Sequence, residues 1–116
     1  MGDNLVIMLR NSPFSSVRTF EALRSCVGLS MGDAPLTMVF VEDGVYALSS
    51  KGKPVLEGFD WNKHLEMLKE LEFDLVVDKD SAAERGLTDS LSYEPLIKSR
   101  AEVADILKNA KSVITY

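Results

Sequence analysis

The sequence predicts an α/β fold: a three-layer α/β/α sandwich built on a mostly parallel sheet of four or five strands. Two stretches carry unbroken apolar runs with β-branched and aromatic residues. They are Leu5 to Leu9 (LVIML) and the start of Leu36 to Leu48 (LTMVFVEDGVYAL). Such runs are the pattern of strands covered on both faces. An amphipathic helical period lies between them. Strand, helix and strand at this spacing make a βαβ unit, parallel and right-handed.

Leu5 to Leu9 is the first strand. Ser12 is placed as an N-cap and Pro13 at a first helical position. Val17, Phe20, Leu23, Val27 and Met31 then recur at helical steps, predicting a helix that ends near Gly32. Met38 to Val41 forms the second strand. It turns at Glu42-Asp43-Gly44, and a short helical or extended piece reaches Ser49. Asp60 is placed to cap a helix through Leu71, with Trp61, Leu65, Leu68 and Leu71 on one face. Phe73 to Val77 is the third strand and Asp78-Lys79-Asp80 a charged loop. Ser81 to Arg85 predicts one or two helical turns closed by Gly86 as C′. Leu87 to Tyr93 reads as a possible short strand. Ser99 and Glu102 have capping-box spacing ahead of a helix whose inward face is Val103, Ile106, Leu107 and Ala110. Ser112 to Tyr116 is the last strand, tied into the sheet.

The chain has 116 residues, read as one domain over 1–116 with enough length for a single core. A net charge of −5 and the lack of a basic patch argue against stable nucleic-acid binding or an anionic membrane surface. No apolar run approaches the ~20 residues that span a bilayer. The acidic start Met1-Gly2-Asp3-Asn4 does not read as a signal peptide. One cysteine makes no internal disulfide, so a cytoplasmic setting is expected.

Phe40 to Leu48 (FVEDGVYAL) and Ser81 to Leu87 (SAAERGL), in this order and ahead of Val113-Ile114-Thr115-Tyr116, resemble the DsrE/DsrF/TusC-like sulfur-relay proteins, nearest the TusC/DsrF branch. The resemblance covers nearly the whole chain. It implies a small α/β domain assembled into homo- or hetero-oligomers, trimers or hexamers, with related subunits. It also implies cytoplasmic traffic of persulfide sulfur toward tRNA thiolation or sulfur oxidation. Sulfur-carrying members hold an acceptor cysteine after the third strand. Aligned on Glu84-Arg85-Gly86-Leu87, that position here is Asp78, and a carboxylate forms no persulfide.

The candidate sites each have a plainer reading. Cys26, the only thiol, would have to be the persulfide acceptor if the chain carries sulfur. It falls on the flank of its helix, in the half where the dipole disfavours a thiolate, so its plainer reading is a small half-buried side chain. His64 is the only histidine. It could act as a base, but it has no companion ligand for zinc and reads more simply as a hydrogen-bonded core or interface residue. Ser12, Ser15 and Ser16 with Arg18 form a strand-to-helix loop that could hold an anion, though it lacks the glycines of a nucleotide loop. Glu42, Asp43 and Asp78 would gather at the carboxyl edge of a parallel sheet. Gly44 would allow the tight turn beside them. The leading expectation is a non-carrying assembly or docking subunit, with Glu42, Asp43, Gly44 and Asp78 as its partner edge. The alternatives are a sulfurtransferase using Cys26 and a small anion- or nucleotide-binding module at Ser12 to Ser16. No metal and no cofactor are expected.

Overall fold

The computed structural model describes residues 4–12, 18–29, 35–49 and 62–116, with the backbone alone at 18–20, 27 and 62. In chain order the elements are β1 (Leu5–Leu9), α1 (Arg18–Leu29), β2 (Leu36–Phe40), a 3-10 helix (Glu42–Leu48), α2 (Asn62–Glu70), β3 (Asp74–Asp78), α3 (Lys79–Glu84), β4 (Leu96–Lys98), α4 (Arg100–Lys108) and β5 (Ser112–Thr115). The five strands form one sheet in the order β4-β3-β2-β1-β5, and every pairing is parallel.

The strand order decides which helix covers which face. From β1 through β2 and β3 to β4 the chain steps one way across the sheet. Right-handed crossovers therefore put α1 and α2 on the same side. The return from β4 to β5 crosses the whole sheet backwards, so its helix, α4, goes to the other side. The core divides accordingly. Ile7, Leu9, Met38, Phe40, Leu75 and Val77 face Ala22, Leu23 and Cys26 of α1 and Leu65 and Leu68 of α2. Val6, Val39 and Val76 face Val103 of α4, with Ile106, Leu107 and Ala110 packed around them. Successive strand residues point to opposite faces. Strands covered on both sides must therefore be apolar at every position, which is why their sequence shows no alternation.

The second face is thinly covered. A helix running along the strands is about 10 Å wide with its side chains, while five strands span roughly 19 Å across. The outer strands are left partly bare on both faces, since neighbours along a strand point opposite ways: Leu96 and Ile97 on β4 are 46% exposed, and Val113 and Ile114 on β5 are 39% and 41%. No helix among the described residues is long and apolar enough to cross a membrane.

Several expectations needed correction. Leu87 to Tyr93 is not a strand; it is a run of turns with a single bridge from Leu91 to Ser49, and the strand follows at Leu96–Lys98. Asp78-Lys79-Asp80 is not a loop, because β3 runs straight into α3 with Asp78 as the cap. The piece after Gly44, left open between helical and extended, is helical: Val45 to Leu48 belongs to the 3-10 helix. Leu71 is 52% exposed rather than inward, because α2 ends at Glu70. Cys26 is on the buried face and not the flank. The helix lies against both the sheet and α2, so its covered stripe takes in Ala22, Leu23 and Cys26. The expected roles of Pro13, Asp60 and Trp61 lie outside the described residues.

Candidate functional site

All five strands are parallel, so their carboxyl ends lie along one edge. On the α4 side that edge holds an open hollow of about 560 Å³. Met8, Val41 and Val103 give it apolar walls. Arg10, Glu42, Asp78, Ser81, Glu84 and Arg100 supply its polar ones.

Asp78 is the centre of this arrangement. It ends β3, caps α3, and is only 3% exposed. Its Oδ2 accepts from the Ser81 backbone N–H at 3.2 Å and from the Ser81 hydroxyl at 2.6 Å. The Ser81 Oγ in turn accepts the Glu42 backbone N–H at 2.9 Å. The ends of β2 and β3 are thus tied through one buried hydroxyl. A buried carboxylate is costly unless it is compensated. Here Arg100 supplies a cation, 3.5 Å from Oδ2. Its hold is loose, since the same guanidinium also lies 3.8 Å from Asp80 and 3.9 Å from Glu84 and is 66% exposed. The other oxygen, Oδ1, is buried and has no hydrogen-bond partner among the described residues.

The expected edge residues gather here as the parallel sheet requires. Glu42 and Asp43, however, are already paired. Glu42 takes two bonds from Arg10, at 3.2 and 3.4 Å. Asp43 accepts from Arg85 at 3.0 Å, and Arg85 also donates to the Ser81 carbonyl at 3.1 Å. Gly44 has a role different from the expected one. The left-handed residue of this turn is Glu42, with φ 51°. Gly44 is needed because its Cα lies against β1, where any Cβ would overlap the Leu9 carbonyl oxygen.

Cys26 lies far from this edge in character. It is 1% exposed, and burial pushes its thiol up to about 12 from an ordinary 9.0. A thiol so placed is protonated and shielded, the opposite of an activated sulfur acceptor. His64 is half-buried on α2. Of the expected anion loop, Ser12 is half-buried, while Ser15, Ser16 and the Arg18 side chain lie outside the described residues.

Five polar residues of the site were not among the candidates: Arg10, Ser81, Glu84, Arg85 and Arg100. Ser81 left a signal, because a serine three residues after an aspartate at a helix start is placed to bond it. The arginines left none. Each reaches its partner across the sheet edge or from another element, a proximity that only the fold creates.

Fold and site together define a small, all-parallel α/β protein with a buried carboxylate, and no thiol, at the end of its third strand. The chain belongs to the DsrE/DsrF-like family, whose model matches residues 3–116. It is 30% identical over 118 residues to a protein TusC homolog of Pseudomonas aeruginosa, covering 99% of each chain. Among solved structures it is similar to the YchN protein of E. coli, with a TM-score of 0.86 and 25% identity over 98% of this chain and 99% of that one. A conserved protein of Bacteroides thetaiotaomicron, BT1422, shares the fold, with a TM-score of 0.67 at 9% identity over 98% and 95% of the two chains.

Proposed function

We propose that this chain is a sulfur-relay protein of the non-carrying kind, an assembly and docking subunit. It joins related subunits in an oligomer, a trimer or hexamer, and presents its carboxyl edge to a sulfur-carrying partner. The setting is cytoplasmic, the working unit is the single domain 1–116, and the pathway is tRNA thiolation or sulfur oxidation. One observation carries the reading: the chain's only thiol is sealed in the core, with its ionisation pushed up to about 12. Persulfide transfer proceeds through a thiolate with access to its partner. The acceptor position inferred from the resemblance is a carboxylate, Asp78, which forms no persulfide. Assembly is supported by the apolar residues left bare on both outer strands, since such patches are closed by contact with another subunit.

Intact-mass measurement after incubation with a persulfide donor tests the non-carrying role, with wild type beside Cys26→Ser. The expected result is no reductant-sensitive gain of sulfur on the folded, reduced protein. A gain of one sulfur atom that is lost in the variant replaces this reading with a sulfurtransferase acting through Cys26. Native mass and co-purification with related subunits test the assembly role. A monomer that retains no such subunit overturns it.

A further inference from the structure

The hollow at the carboxyl edge is unbalanced in charge, and one of its acids is buried. Among the described residues its lining has two cations, Arg10 and Arg100, against three carboxylates, Glu42, Asp78 and Glu84. Arg10 is committed to Glu42 through two hydrogen bonds. Arg100 is spread over Asp78, Asp80 and Glu84 at 3.5, 3.8 and 3.9 Å, too far for good hydrogen bonds. Asp78 is the buried member of this set, and the one cation beside it is shared with two exposed acids. The Asp78 carboxylate is 3% exposed, and its Oδ1 has no donor among the described residues. A buried, unmatched carboxylate oxygen is a strong acceptor awaiting a hydrogen-bond donor, preferably a charged one. Among the described residues no three metal-ligating side chains converge here. The apolar walls of Met8, Val41 and Val103 suit the methylene stem of a long basic side chain, whose charged head then lies at the acid.

We propose that this hollow receives a single basic side chain, the ammonium of a lysine or the guanidinium of an arginine, presented by a docked partner protein. Asp78 is its anionic seat. Arg100 is the resident cation that shifts aside toward Asp80 and Glu84 when the seat is filled. This rests on the docking role proposed above and gives that role its chemistry. The partner is recognised by one positively charged side chain inserted at the end of β3.

The test is a nuclear magnetic resonance titration of the isotopically labelled chain with Nα-acetyl-lysine methylamide and Nα-acetyl-arginine methylamide. Nα-acetyl-norleucine methylamide serves as the uncharged control. Both cationic probes should produce saturable shifts at the amides of Asp78, Ser81, Glu84 and Val103, and norleucine none. Asp78→Asn keeps a side-chain oxygen for the cap of α3, and its fold is checked by the same spectrum. It should bind the probes roughly tenfold more weakly, the loss expected when a charge-assisted bond becomes a neutral one. Arg100→Gln removes the competing cation without touching Asp78 and should bind more tightly than wild type. Equal shifts with norleucine, an unchanged affinity in Asp78→Asn, or weaker binding in Arg100→Gln overturns the proposal. The docking role is read separately, from co-purification of wild type with related subunits. Subunits that co-purify while the probes stay silent sink the cation seat alone. Probe binding in a chain that docks nothing overturns the assignment of the cation to a partner.

Discussion

At the scale of single residues, Gly44 and Cys26 show how position overrides type. A glycine in a turn is commonly explained by its backbone freedom, but the left-handed residue here is Glu42, and Gly44 answers to the Leu9 carbonyl pressed against its Cα. Gly44→Ala should therefore destabilise the fold by about 3 kcal/mol, the scale of forced overpacking against backbone. Urea denaturation checks this, and a midpoint equal to wild type would show that β1 yields easily at that point. Cys26 gives a prediction in pH. In the unfolded chain its thiol ionises from about 9.0, and in the folded chain near 12, so the folded state holds that proton more tightly. Its stabilising contribution is complete below pH 9.0 and declines as pH rises from there toward about 12. Over that window wild type should lose more stability than Cys26→Ala, and parallel losses in the two proteins would refute it. The residues that make the site were only half legible in the sequence. Glu42, Asp43 and Asp78 fall at strand ends, and a parallel sheet brings strand ends together. The burial of Asp78 could not be read, because it depends on α4, which starts beside it at the end of the paired strand β4 and brings Arg100 and Val103 to it.

At the scale of elements, two helices end in the same way with different residues. At the end of α2, Phe73 N–H bonds the Leu68 carbonyl at 3.1 Å and Glu72 N–H bonds that of Lys69 at 3.0 Å. At the end of α3, Leu87 bonds Ala82 at 2.9 Å and Gly86 bonds Ala83 at 3.1 Å. Both are Schellman closures, which need one left-handed residue. Gly86 fills that position at φ 66°, and Glu72 fills the other at φ 61°. Glu72→Gly should then stabilise the protein by about 0.5 kcal/mol, as relief of strain outweighs the added freedom of the unfolded chain. Gly86→Ala should cost about 1 kcal/mol from backbone strain alone, since a Cβ there meets no neighbour. Thermal melts of the two variants should move in opposite directions; movement the same way would refute the comparison. The Gly86 closure was readable because glycine marks it, whereas Glu72 has no such mark. The capping box of Ser99 and Glu102 was also readable and forms in both directions. It explains why Glu102 is held below the usual carboxylate range: the Ser99 backbone N–H and hydroxyl stabilise its charge. β4 was missed because its three residues, partly bare, present too little pattern to distinguish a strand from a loop.

At the scale of the whole molecule, among the described residues one face is covered by α1, α2, the 3-10 helix and α3, and the other by α4. The long apolar runs made the sheet and its layers legible. They said nothing of which strand stands at which edge, since that depends on pairings such as β1 with β5, made between distant parts of the chain. The same arrangement encloses Cys26 between α1 and the sheet. Its sulfur is a clock for the motions of the fold. A thiol-specific dye can mark it only in the moments when the molecule opens, so the marking rate counts those moments. With no second cysteine in the chain, the count comes from one place. In dilute urea the rate should climb with the slope of global unfolding. A shallower climb would show instead that α1 lifts from the sheet by itself. Either result turns a residue set aside as a sulfur carrier into a resident gauge of how often the protein comes apart.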